Sequence, residues 1–354
     1  MSKLHDCGIN PTLVSWCESF LLGRSQTVTV DGTESSPKPV LSGVPQGTVL
    51  GPLFFLVYIN DISDNISPGT TLRLFADDTS LYRTINSVAD AIELQSDLDR
   101  LQEWEIRNKM EFHPGKCQLL RVTNKRKPIV AAYSIHSQNI SKTDSVKYLG
   151  VTIDSKLQWT NHYNQISSKA NSTLAFLRRN TYACPRPVKE TCYNAFVRPS
   201  LEYGSCVWDP HQKNHIEQLE KTQKRAARFV TNNHILIGGN TKKNMESLKW
   251  VPLEERRARS KLVCLFKART GVIDIPLDDL IPTSRGNRNS VHNFHIPSSS
   301  INCHLHSFYP STIRLWNSLP TSIKLATDLN NFKNQINSTI IKSSYSQPAQ
   351  CPAY

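Results

Sequence analysis

Two neighbouring carboxylates between strand-like arms constrain this chain more than any other feature. In Leu72-Arg73-Leu74-Phe75-Ala76-Asp77-Asp78-Thr79-Ser80-Leu81-Tyr82, the apolar Leu72, Leu74 and Ala76 alternate with Arg73 and Phe75. That period of two belongs to a strand. Asp-Asp is a poor strand centre but is tolerated at a bend, so the stretch predicts a hairpin with Asp77 and Asp78 at its tip. Like charges held together repel, and a divalent cation on hard oxygen ligands removes the repulsion. A plain solvated turn satisfies the same residues, and Ala-Asp-Asp alone does not choose between the two.

The residues before this hairpin read as alternating short elements. Leu13 to Leu22 predicts a helix stopped by Gly23, and Gln26–Val30, Asp31-Gly32 and the segment to Val40 predict a hairpin. Ser42 to Pro52 holds three glycines and two prolines, which forbids regular structure there. Pro52 suits the first position of a helix from Leu53 to Ile62. Glycine lets backbone approach a ligand closely, although an ordinary loop has the same spacing. After the hairpin, Ser87 and Asp90 form a capping box. Val88, Ala91, Leu94, Leu98, Leu101 and Trp104 then mark one face of a helix whose other, acidic face is expected to be solvated. Phe112 to Lys116 reads as a turn, Cys117–Val122 and Ile129–Ile135 as strands, and Val146–Ile153 as a β-rich run around Gly150. Strands with packed helices make the first half α+β.

The second half is predicted to be mainly helical and is strongly basic. Residues 1–160 hold 16 Lys and Arg against 17 Asp and Glu, whereas residues 161–354 hold 26 against 12. Such asymmetry attracts polyanions. One helix runs from Thr160, its expected cap, through Tyr163, Ile166, Ala170, Leu174 and Leu177. A second carries Val188, Cys192, Ala195 and Phe196. A third has Ile216, Leu219, Gln223, Ala226 and Val230 on one side and Lys221, Lys224, Arg225 and Arg228 on the other. A fourth, Pro252 to Thr270, carries Arg256, Arg257, Arg259, Lys261, Lys267 and Arg269. Two basic helices predict phosphate contact rather than merely solvated faces. Ile281 to Ser307 reads as a linker and Ser338 to Tyr354 as a frayed tail. Nine cysteines without a close pair predict reduced thiols rather than a zinc site. The longest apolar run, Val49 to Ile59, is broken by Gly51-Pro52 and falls short of the roughly 20 residues of a membrane span. The expected setting is intracellular, and Lys125-Arg126-Lys127 is too short to decide between nucleus and cytoplasm.

Several motifs, in order, resemble the reverse transcriptase of non-LTR retrotransposons, jockey-like elements in particular. Ser42-Gly-Val-Pro-Gln-Gly-Thr-Val-Leu-Gly-Pro52 with Leu53-Phe-Phe-Leu-Val-Tyr-Ile-Asn-Asp61 is similar to the family's second polymerase motif. Phe75-Ala-Asp-Asp78 resembles the third, Asn108-Lys-Met-Glu-Phe-His-Pro-Gly-Lys-Cys117 the fourth, and Tyr148-Leu-Gly-Val-Thr-Ile-Asp154 the primer-grip strands. Leu201–Trp208 and Pro310–Pro320 are similar to segments beyond the polymerase core. The resemblance implies a right-hand polymerase fold: a partial palm over 1–145, primer-grip strands and a basic helical thumb over 146–275, and a C-terminal linker, helical segment and tail over 276–354. It implies that Asp77 and Asp78 hold two Mg²⁺ or Mn²⁺ ions, that Gln46, Gly47, Phe75 and Ala76 line the nucleotide and its template partner, and that Leu149 and Gly150 place the primer end. Lys116 would assist the leaving pyrophosphate, with a plain surface charge as the alternative. Lys221, Lys224, Arg225, Arg228, Arg256 and Arg257 would hold the RNA–DNA duplex backbone. The implied partners are an RNA template, a DNA primer and dNTPs.

The sequence also departs from that family. The first polymerase motif, Asp-x-x-Lys-Ala-Phe-Asp, is expected before Ser42 and is not found. Asp6, in an expected connecting turn, and Asp31, in a hairpin turn, lack its surroundings. The fingers and an upstream endonuclease are likewise expected to be missing. These departures predict that the chain alone is inactive. They leave a non-catalytic nucleic-acid-binding remnant and an inert relic with an unpaired sheet edge as rival readings.

Overall fold

The computed structural model describes residues 1–233, 240–275, 280 and 292–339. It divides into two compact units, the first formed by 1–119 and 125–142 and the second by 120–124 and 143–354.

In the first unit, α1 (Ser2–Asp6) and α2 (Pro11–Leu21) precede four short strands, β1 (Ser25–Gln26), β2 (Thr29–Val30), β3 (Thr33–Glu34) and β4 (Lys38–Pro39). β2 pairs with β3 and β1 with β4, the hairpin expected around Asp31-Gly32, where both residues have positive φ. Asp6 ends α1 rather than lying in a connecting turn. Helix α3 spans Leu50–Ile59 and continues as a 3₁₀ turn, Asn60–Ser63. It starts earlier than expected because Thr48 organises the entry: its Oγ1 donates to the Pro45 carbonyl at 2.8 Å and accepts from Gly51 N at 3.1 Å. Pro52 therefore sits inside the first turn, where its missing N–H has no helical partner to lose. At Gly51 a Cβ would meet the Pro45 oxygen at 2.4 Å, so only glycine fits.

β5 (Thr70–Phe75) and β6 (Asp78–Arg83) form the expected hairpin, in register from Thr70↔Arg83 to Phe75↔Asp78. Helix α4 (Val88–Asn108) begins with the Ser87–Asp90 capping box. Ile59, Ile62, Leu101 and Trp104 form a core against Phe55, Tyr58, Leu72, Leu74 and Leu81, so α3 and α4 clamp the hairpin. The other side of α3, through Phe54 and Val57, packs on Leu4, Val14 and Cys17 of α1 and α2. The acidic face of α4 is not simply solvated. Asp97 is fully buried and accepts from Ser67 N at 2.9 Å and Arg100 Nη1 at 2.6 Å. Glu105, also buried, holds Phe112 N and His136 Nε2 at 2.8 Å each. β7 (Gln118–Leu120), β8 (Ser134–Ile135) and β9 (Gln138–Asn139) follow. Only the end of the expected Ile129–Ile135 strand is paired.

Beyond β10 (Ser141–Thr143), the second unit opens on the hairpin of β11 (Ser145–Tyr148) and β12 (Val151–Asp154). Helix α5 (Thr160–Asn180) is not capped by Thr160. Trp159, at φ 62°, is its N-cap, held by its N–H to Asp154 Oδ2 at 2.8 Å. The second expected helix is α6 (Arg186–Cys192), a π segment Tyr193–Val197 and α7 (Arg198–Glu202). Then come α8 (Ser205–Trp208), α9 (Lys213–Val230), α10 (Asn240–Ser247) and α11 (Leu253–Arg269). Their core holds Tyr163, Ala170, Leu174, Tyr193, Val197, Leu201, Trp208, Leu219, Ala226 and Leu253. Helix α11 also joins a second core, in which Leu262, Leu265 and Phe266 meet Ile313, Trp316 and Phe332 from α13 (Phe308–Ser318) and α15 (Leu329–Ser338), with α12 (Asn302–Leu305) and α14 (Thr321–Lys324) beside them. Residues 302–305 of the expected linker are thus helical and Phe294 is buried. Its 281–291 portion, and the expected tail from 340 on, lie outside the described residues.

Candidate functional site

The candidate acidic site sits at the bend of β5–β6. Phe75 and Asp78 form the last pair of the ladder, leaving Ala76 and Asp77 as a two-residue loop. Ala76 adopts φ 52°, a left-handed conformation that costs a residue with a Cβ energy and is sustained by the ladder behind it. Asp77 and Asp78 are exposed, and Phe75 is 64% exposed. The bend thus presents two carboxylates and an aromatic face to solvent, on a hairpin whose arms are fixed by α3 and α4.

Gln46 and Gly47 are exposed in the loop that enters α3, with Gly47 at φ 77°. Their link to the hairpin is α3 itself, whose Phe55, Tyr58 and Ile59 belong to the same core as Leu72, Leu74 and Leu81. Lys116 is exposed at the end of a 3₁₀ turn, Pro114–Lys116. Asp61, the last residue of the second motif, is a junction that spacing alone did not single out. It accepts from Lys3 Nζ at 2.7 Å and Trp104 Nε1 at 2.9 Å. Burial pushes its carboxyl up, but the Lys3 and Trp104 hydrogen bonds outweigh that and hold it below the usual range.

In the second unit, Leu149 and Gly150 form the β11–β12 bend with φ 45° and 82°, the paired positive values that suit a two-residue hairpin. Tyr203 Oη donates to the Leu149 carbonyl at 3.0 Å, and a Cβ on Gly150 would lie 3.2 Å from the Tyr203 ring. On α9, Leu219, Thr222, Gln223, Ala226 and Val230 are buried. Lys221, Lys224 and Arg225 are exposed on the opposite side and Arg228 is half-buried. Arg225 Nη1 is steadied by Asn171 Oδ1 at 2.9 Å.

The α11 cations do not form a second such face. Arg257 is buried and donates to Asp209 Oδ1 at 2.8 Å, while Lys261 reaches Asp209 Oδ2 at 2.6 Å. Arg256 pairs with Glu202, and Arg259 with Glu255 at 2.6 Å. The expected role of Arg257 in holding a duplex backbone is therefore corrected: its guanidinium is enclosed by protein and charge-balanced by Asp209. Arg256 is already paired. Spacing exposed the cations but not the acids of neighbouring elements that neutralise them.

With this geometry in view, comparison with known proteins shows what the chain is similar to. Residues 1–153 match the family described as reverse transcriptase (RNA-dependent DNA polymerase). The RNA-directed DNA polymerase from mobile element jockey of Drosophila melanogaster is 29% identical over 233 residues, 62% of this chain and 25% of that protein. By sequence, the chain is similar to jockey-like reverse transcriptases. The Drosophila funebris jockey polymerase is 29% identical over 63% of this chain and 25% of its own length. The probable RNA-directed DNA polymerase from transposon X-element of Drosophila melanogaster is 28% identical over 60% and 24%. The chain thus spans about a quarter of the length of these curated relatives. No solved structure matches it significantly. The jockey-like reading and the α+β class both stand. The acidic hairpin, the glycine-rich loop and Lys116 fall within the residues matched to that family, whereas the α9 cations lie beyond them. Among the described residues, no helix is long and apolar enough to cross a membrane.

Proposed function

We propose that the chain belongs to a mobile-element enzyme of RNA-templated DNA synthesis and supplies half of its nucleotidyl-transfer site. The observation that supports this most is the exposed Asp77-Asp78 pair at the bend of a clamped hairpin, within residues matched to reverse transcriptase. Adjacent carboxylates are hard oxygen donors of the kind Mg²⁺ and Mn²⁺ take, so Asp77 and Asp78 fit the metal role. Two such ions, when bound, stabilise the attacking and leaving oxygens of an in-line displacement. The protein's own task in phosphoryl transfer is positioning and charge. Gln46 and Gly47, with Phe75 and Ala76, would line the dNTP and its template partner. Lys116 would neutralise or protonate the pyrophosphate. Leu149 and Gly150 would support the primer end, and Lys221, Lys224, Arg225 and Arg228 the RNA–DNA duplex. In this reading residues 1–145 are a partial palm, 146–275 the primer grip and thumb, and 276–354 a C-terminal extension.

Among the described residues no group of three or more His, Cys, Asp or Glu converges as a metal-binding set. One carboxylate pair does not clamp two ions, so the chain alone should not extend a primer. Incubation with an RNA template, a DNA primer, dNTPs and Mg²⁺ or Mn²⁺ tests this, and template-dependent extension by the purified chain overturns it. The exposed stripe on α9 favours a second, non-catalytic reading in which duplex binding survives without chemistry. Charge reversal at Arg225 and Arg228 should then weaken binding and reduce the salt slope by about 2, roughly 0.9 for each phosphate no longer neutralised. Asp77→Asn should leave binding unchanged.

A further inference from the structure

Nothing in nucleotidyl transfer requires the thiols of the second unit, yet two of them are placed together. Helix α8 packs on α11. Arg257 and Lys261 of α11 clamp Asp209, the residue that follows α8. Cys264 stands seven residues beyond Arg257 and three beyond Lys261, on the same helical face. Cys206 lies three residues before Asp209 on the facing element. The buried ion cluster therefore fixes the pair's register, on packed helices α8 and α11, and the two thiols lie near enough for each to shift the other. Both are free and half-buried.

We infer that Cys206 and Cys264 are a reversible redox pair, which a hydroperoxide closes into a disulfide joining α8 to α11. Cys264 is the attacking thiol. The neighbouring Cys206 thiol holds it down to about 7; burial opposes this, and the charge of Lys267 assists it. Cys206 is pushed up by Cys264 and by burial, with Lys261 and Asp209 acting on it in opposite directions. It is the resolving thiol. The Cys264 thiolate attacks one oxygen of hydrogen peroxide and breaks the O–O bond. This gives a sulfenic acid and hydroxide, and the hydroxide leaves as water after taking a proton. The Cys206 sulfur then attacks the Cys264 sulfur, and the thiol proton departs with the sulfenic hydroxyl as a second water. The two sulfurs lose two electrons together and the peroxide gains two.

The test uses the full chain. Iodoacetamide labelling across pH should give Cys264 a reactivity midpoint near pH 7, against about 8.5 for an ordinary thiol. Graded hydrogen peroxide, followed by non-reducing digestion and mass spectrometry, should yield a 206–264 cross-linked peptide that dithiothreitol separates. Oxidation should raise the unfolding midpoint by about 5–10 °C, the usual effect of a bridge on a unit this size. Cys206→Ser should leave a Cys264 sulfenic acid that dimedone traps, and Cys264→Ser should abolish both trapping and cross-link. An ordinary Cys264 midpoint in the unmutated protein, or peroxide-driven cross-links that bypass this pair, would overturn the inference.

Discussion

Replacing Asp209 by Asn tests the architecture around α11 most severely. Its carboxylate is 5% exposed and holds Arg257 Nε at 2.8 Å and Lys261 Nζ at 2.6 Å, side chains that are 0% and 1% exposed. Asparagine keeps the shape and removes the charge that both enclosed cations pair with. Removing one partner of a buried ion pair costs about 3–5 kcal/mol, so about 4 kcal/mol is expected. In a unit of this size that lowers the unfolding midpoint by about 8–16 °C, at 2–4 °C per kcal/mol. Trp208, fully buried beside Asp209, provides the fluorescence signal for thermal and urea unfolding. The pH dependence has a defined sign. Burial raises the Asp209 carboxyl, but Lys261 and Arg257 together bring it below its usual range. The unfolded chain therefore binds this proton first as pH falls. The contribution to stability is complete above the unfolded value of about 4 and is lost below it, down through the folded value. Asp209→Asn should flatten that acid limb. A triple replacement, Asp209→Leu with Arg257→Met and Lys261→Met, should recover most of the loss, because packed apolar groups carry no desolvation cost. A single variant that unfolds within 2 °C of the parent would refute the reasoning.

Two further perturbations probe other parts of the fold. Gly51→Ala places a Cβ 2.4 Å from the Pro45 carbonyl oxygen, so the loop entering α3 must shift; a loss of about 2–3 kcal/mol is expected in urea unfolding of the first unit, and a neutral substitution would contradict the geometry. His162 is buried, accepts from Thr152 N at 3.2 Å and has its pKa lowered to about 4 by burial. The unfolded chain gains a proton near pH 6.5 that the folded chain refuses, so stability should fall from pH 6.5 to 4 with a one-proton contribution to the slope. His162→Asn, which keeps an acceptor, should remove that contribution.

What the sequence disclosed follows from what spacing encodes. The alternation in Leu72–Ala76 and the Ser87–Asp90 pair each specify a local geometry, and β5–β6 and the start of α4 follow them. The 3.6-residue period likewise separated the buried Leu219, Ala226 and Val230 from the exposed Lys221, Lys224 and Arg225. Spacing does not encode what lies opposite. Arg257 and Lys261 read as surface cations because Asp209 is distant in sequence, and the acidic side of α4 read as solvated because Ser67 and His136 come from other elements. Trp159 as a left-handed N-cap was hidden because the carboxylate that holds it, Asp154, belongs to the preceding strand. At the candidate site the Asp77-Asp78 bend was legible. The Lys3–Asp61–Trp104 junction was not, since it depends on three separate helical segments meeting.

The central claim is that Asp77 and Asp78 are metal ligands rather than a solvated bend, and Mn²⁺ binding followed by electron paramagnetic resonance tests it directly. The account predicts weak Mn²⁺ binding by the purified chain that is displaced by Mg²⁺ and lost in Asp77→Asn/Asp78→Asn, with the circular dichroism melt unchanged. Mn²⁺ binding of equal strength in the double variant would contradict it.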